Sequence, residues 1–144
     1  MAKSSEYSDL KLLNLTQSKE IYTIDQIKEK AREIFKKYEL DKVYIFGSYA
    51  RGEATENSDI DLIIVGGNIK GMFNFSQFAL ELVETMRKEF DIINEENYTS
   101  EKSNDSDLLK KSKSIFYNNI CKERILIYGW KRQNNLIENK RPMR

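Results

Sequence analysis

The feature that most restricts this chain is the run DIDLIIV at residues 59–65, closed by Gly66-Gly67. Its apolar content and length read as a β-strand ending in a turn. Side chains alternate along a strand, so Asp59 and Asp61 point the same way, about 7 Å apart, while Ile60, Leu62 and Ile64 face a core. Two carboxylates side by side repel, and each loses hydration beside a sheet. The chain has no histidine and no lysine adjacent to the pair, so a divalent cation is the natural counter-charge. Taken alone, an Asp-x-Asp pair is more often a solvated strand edge, here with Asp59 ending a turn after Ser58.

The preceding segment changes that balance. KVYIF (residues 42–46) reads as a strand that runs directly into Gly47-Ser48, and SYARG follows as a candidate helical turn. Glycine lets the backbone approach a phosphate, the turn's N–H groups can cradle it, and the serine hydroxyl can donate as well. Phosphate donors set opposite a carboxylate pair suit metal-assisted nucleotidyl transfer. Arg51 could reach a phosphate, and an exposed structural arginine is an equal reading.

Composition removes competing chemistries. Without histidine there is no Ser-His-Asp triad, Cys-His pair or histidine-ligated zinc. The single cysteine, Cys121, excludes an internal disulfide and reads as an inert, buried thiol. Any metal must be held by oxygen, which favours Mg²⁺, Mn²⁺ or Ca²⁺. The net charge of +1 names no partner. Residues 131–144 carry five Lys/Arg and one Glu, 5 − 1 = +4, which leaves −3 on the rest. That tail reads as a solvated terminus, and nucleic acid is not expected as a partner. No membrane span or signal-peptide core is visible, so a cytoplasmic protein is expected.

The 144 residues suit one domain. Residues 1–22 read as an N-terminal extension, 23–130 as the domain, and 131–144 as a basic tail. Thr23 and Gln26 form a capping box that opens an amphipathic helix with Ile24, Ile27, Ala31, Ile34, Phe35 and Tyr38 on one stripe. A second helix is expected from an Asn74 cap, with Phe75, Phe78, Ala79, Leu82, Val83 and Met86 buried. FDIINEE then reads as a strand, SDLLKKSKSIFYNNICKER as a helix, and ILIYGW as a last strand. The alternation predicts an α+β fold, a small mixed sheet flanked by helices.

The segment GSYARGEATENSDID has the form G-S-x10-D-x-D, and in it the chain resembles the DNA polymerase β-like nucleotidyltransferases. The longer VYIFGSYARGEATENSDIDLIIV is similar to their minimal, single-domain prokaryotic branch, over about residues 23–130. The resemblance implies a polymerase β-like fold, ATP as substrate, and two Mg²⁺ ions (Mn²⁺ also suits) held by Asp59, Asp61 and a third carboxylate on a later strand. FDII nominates Asp91 for that place, with Glu95 in reserve on the same face. It also implies that Gly47 and Ser48 hold the nucleotide's phosphates.

Minimal members of this branch are commonly encoded beside a HEPN-type ribonuclease toxin and act as antitoxins that move AMP from ATP to a toxin tyrosine. That is the implied function, since a chain this short lacks the helical domain that drug-modifying relatives use for their acceptors. Two alternatives stay open at this point. One is an adenylyltransferase for a small hydroxylated molecule such as an aminoglycoside. The other is a non-catalytic antitoxin that neutralises its partner by contact.

Overall fold

The computed structural model describes residues 9–99 and 106–129. Trp130 and the basic tail lie outside them. The elements run α1 (Asp9–Leu12), α2 (Ile24–Lys37), β1 (Lys42–Phe46), α3 (Ser48–Arg51), β2 (Ile60–Val65), α4 (Gly71–Met86), β3 (Phe90–Asn94), α5 (Glu96–Thr99), α6 (Asp107–Cys121) and β4 (Ile125–Gly129). The four strands form one mixed sheet in the order β3-β2-β1-β4. β1 is antiparallel to both β2 and β4, and β2 runs parallel to β3.

Local chemistry explains where two of the longer helices begin. The Thr23 hydroxyl accepts from the Gln26 N–H at 3.0 Å, and the Gln26 side chain accepts from the Thr23 N–H at 2.8 Å. The expected capping box is therefore formed, and it satisfies two N–H groups that the helix leaves over. Ser106 caps α6 in the simpler way, its hydroxyl accepting from Leu109 N–H at 3.1 Å. The second helix departs from expectation. It starts at Gly71, with Lys70 as a cap that makes no side-chain bond, so Asn74 lies inside it. The added turn carries Met72 and Phe73, 82% and 75% exposed. Exposed apolar residues give no amphipathic signal, and the early start was therefore invisible in the pattern.

The core lies between the sheet and α2 with α4. Ile27, Ala31 and Phe35 from α2 and Phe78, Leu82, Val83 and Met86 from α4 are fully buried there. They pack on Val43 and Ile45 of β1 and on Ile60, Leu62 and Ile64 of β2. Burying each such side chain contributes about 1.5–3 kcal/mol. The opposite sheet face holds a smaller cluster of Phe46, Ile63, Ile93, Tyr117 and Ile120, roofed by α6. Cys121 is half-buried at its edge. The strand alternation expected for β2 is observed, and it leaves Asp61 on the α6 face of the sheet.

The segment before α2 packs on this frame. Leu10 is buried, and Glu89 accepts from the Asp9 and Leu10 N–H groups at 3.1 and 2.8 Å. The Ser18 N–H donates to the Arg87 carbonyl at 2.8 Å, and the buried Tyr22 hydroxyl donates to that of Met86 at 3.0 Å. No helix among the described residues is long and apolar enough to cross a membrane.

Candidate active site

Sheet register gathers the acidic residues at one end. Phe46, the last residue of β1, pairs with Asp61, and Asp61 pairs with Asp91 across the parallel β2–β3 ladder. Asp59 stands one residue before β2. The C-terminal end of β1 and the N-terminal ends of β2 and β3 thus meet at one edge, with Gly47-Ser48 leaving it as α3 begins.

Charge crowding there is physical. Asp61 is half-buried, and its carboxyl is pushed up to about 7, first by burial and then by the negative charges of Asp91 and Asp59. Arg51 opposes the rise without cancelling it. A group in that state is stabilised by a cation, and the donors present are hard carboxylate oxygens, which suit Mg²⁺ or Mn²⁺. Among the described residues, however, no three acidic or cysteine side chains converge closely enough to hold an ion.

The glycine turn is fitted to this cluster. Gly47 has φ +75°, in the left-handed region that side chains rarely adopt, and a Cβ there would run into the Asp61 carboxylate. The requirement for glycine was expected from the approach of a phosphate. The structure adds a second reason, which is contact with the neighbouring carboxylate.

Arg51 is not a free cation. Its Nε donates to Glu53 at 2.9 Å, and its NH1 donates to both oxygens of Glu123 at 3.1 and 3.2 Å. Glu123 also accepts from the Gly47 N–H at 3.3 Å. One carboxylate therefore holds both the backbone donor and the guanidinium nominated for phosphate. Sequence reasoning missed Glu123, because nothing in ICKER marks an acid whose partner lies 76 positions earlier.

Glu95 is engaged elsewhere. It follows the end of β3, and its carboxylate accepts from the Tyr117 hydroxyl at 2.6 Å, with Arg124 at 3.9 Å. Asp91 is the β3 carboxylate that pairs with Asp61.

The family described as "Polymerase beta, Nucleotidyltransferase" matches residues 29–133. The chain is similar to two proteins of Methanocaldococcus jannaschii that are provisionally named protein adenylyltransferases. One is 39% identical over 70 residues, 49% of this chain and 75% of the relative. The other is 46% identical over 70 residues, 46% of this chain and 68% of the relative. Among solved structures, a chain of a toxin–antitoxin crystal structure with AMP-PNP superposes with a TM-score of 0.55 at 17% identity, covering 76% of this chain and 78% of that one. A chain of the tri-AMPylated Shewanella oneidensis HEPN toxin in complex with MNT antitoxin gives 0.51 at 13% identity, over 79% of each chain. At these identities the likeness is one of fold.

Proposed function

Since the chain belongs to the polymerase β-type nucleotidyltransferase family, we propose that it moves AMP from ATP to a hydroxyl group, and that the acceptor is a tyrosine of a partner HEPN-type ribonuclease toxin. The observation that carries the reading is the acidic edge of the sheet, where Asp61 is pushed up to about 7 between Asp59 and Asp91 beside the Gly47 turn. The relatives named as protein adenylyltransferases support a protein acceptor. The toxin–antitoxin complexes that share the fold support the class of partner.

In the proposed reaction the acceptor oxygen bonds to the α-phosphorus, the bond from that phosphorus to the bridging oxygen breaks to release pyrophosphate, and the hydroxyl proton passes to the Asp91 carboxylate and from it to water. Gly47 N–H and Arg51 take phosphate oxygens when the Glu123 carboxylate gives way to them. Asp59, Asp61 and Asp91 are the residues that would hold divalent ions, which when bound offset charge on the attacking and leaving oxygens. In this reading Asp91, on the strand farther from Gly47, serves the acceptor side of the site.

The test uses the purified chain, ATP labelled at the α-phosphate, Mg²⁺, and the protein encoded beside it. Label on a tyrosine of that protein, with release of pyrophosphate, is the expected result. Label on an aminoglycoside instead would assign a small-molecule acceptor. Neutralisation of the partner that survives Asp59→Asn with Asp61→Asn, with no label transferred, would leave a binding module.

A further inference from the structure

Lys88 is the one charged side chain among the described residues with no accessible surface. Burying an ammonium costs several kcal/mol unless it is well paired, and here burial disfavours the charged form while the negative charges of Glu56 and Glu20 offset part of that cost. Its Nζ donates to the backbone carbonyl of Glu56 at 2.8 Å. The same carbonyl accepts from the Gln17 side chain at 3.2 Å.

The place of this contact is informative. Glu56 lies in the turn that leads into Asp59. There Thr55 N–H donates to the Ser58 hydroxyl at 2.8 Å, and Ser58 N–H returns to the Thr55 carbonyl at 3.0 Å. Lys88 lies in the junction between α4 and β3, three positions before Asp91 as Glu56 is three before Asp59. One residue further on, the Glu89 carbonyl accepts from Ile60 N–H at 2.9 Å. The buried ammonium thus ties the segment that delivers Asp59 to the segment that delivers Asp91.

We infer that Lys88 is a positioning residue for the acidic site, holding the Thr55–Ser58 turn so that the Asp59 carboxylate is set against those of Asp61 and Asp91. The inference rests on the nucleotidyltransferase reading, because it needs a function for that spacing. Lys88 does not itself touch substrate or ion. It acts through the Glu56 carbonyl, as residues that orient metal ligands do elsewhere.

The test compares wild type with Lys88→Met, which keeps the aliphatic stem and removes the donor. Two readouts separate positioning from simple stability. In the metal-free protein, amide exchange at Ser58 should accelerate relative to that at Val43 in the sheet core. In a direct titration with Mn²⁺, the dissociation constant should rise about tenfold or more, with kcat for AMP transfer falling in step. Unchanged Mn²⁺ affinity and unchanged Ser58 exchange in folded Lys88→Met would overturn the inference. Should Lys88→Met fail to fold, Lys88→Arg takes its place, keeping the charge but displacing the donor. Weakened Mn²⁺ binding in a folded arginine variant supports the role, and wild-type affinity overturns it. Failure of wild type to bind Mn²⁺ at all would defeat the parent reading, a result distinct from any difference between variants.

Discussion

The two ends of the β1–β2 pair carry the same local device with different outcomes. At one end Gly47, φ +75°, lies against the Asp61 carboxylate. At the other Gly66, φ +70°, lies against the Asp41 carboxylate just as closely. Asp41 is exposed, while Asp61 is half-buried between Asp59 and Asp91. A glycine turn over an aspartate therefore occurs at both ends and does not by itself mark the acidic one. Burial and like charge set the Asp61 end apart, where a cation would offset the crowding, while Asp41 faces solvent. The plain end also opens on a cleft of about 770 Å³, lined by Gly66, Gly67, Lys70, Gly71 and Asn94 among others. This cleft lies at the opposite end of the strand pair from the acidic cluster.

Removing the charge at the acidic end should have the largest effect. Asp59→Asn with Asp61→Asn is expected to reduce AMP transfer at least a thousandfold without loss of fold, read as label transfer and circular dichroism. The same change should stabilise the metal-free protein. The Asp61 carboxyl, pushed up to about 7, sits above the value near 4 of an unfolded chain. Its ionisation therefore opposes folding: the Asp61 contribution to stability declines as pH rises from about 4 to about 7 and is level beyond. Asp61→Asn should remove that decline and raise stability at pH 8 by about 1–2 kcal/mol, allowing for the water that reaches the group, as measured by denaturant unfolding.

Asp91 in β3 and Glu95 just past its end sharpen the contrast. Asp91→Asn is expected to lose transfer, seen as a fall in kcat of a hundredfold or more, with nucleotide affinity little changed. Glu95→Gln weakens a bond to Tyr117 and should lower the melting temperature a few degrees with transfer retained. Loss of transfer in Glu95→Gln alone would move the third carboxylate to Glu95.

The paired glycines give a smaller effect. Gly47→Ala and Gly66→Ala both impose a left-handed conformation on alanine, at about 1–2 kcal/mol. Only at Gly47 does the new Cβ meet a carboxylate of the site, so transfer per folded molecule should fall tenfold or more there and stay near wild type at Gly66. The smallest expected change is a gain. Glu123→Gln weakens the hold on Arg51 and on the Gly47 N–H, and ATP affinity measured by calorimetry should rise about two- to fivefold.

These pairs also show what a reader of the chain can find. Thr23 and Gln26 announce the start of α2 because both halves of the cap lie within four residues. Asp59 and Asp61 are conspicuous because a strand pattern surrounds them. Asp91 is weaker in the sequence, since its pairing with Asp61 depends on a parallel register between strands joined through α4. Lys88 and Glu123 are illegible. Arg-Lys-Glu and Lys-Glu-Arg read as solvated charge, and only the packing of distant segments buries one and brings the other onto the Gly47 turn. Asn74 fails in the opposite sense, a good cap residue overridden by an earlier helix start among exposed side chains.

If the nucleotide and its metal belong to the acidic end of the sheet, amide chemical-shift mapping shows it directly, with ATP added to the chain with Mg²⁺ and then with chelator. Mg²⁺-dependent shifts at Gly47, Ser48, Asp61 and Asp91, abolished by chelator, are the predicted result. Shifts that persist without metal, or that cluster at Gly66, Gly67 and Gly71 around the cleft, would contradict it.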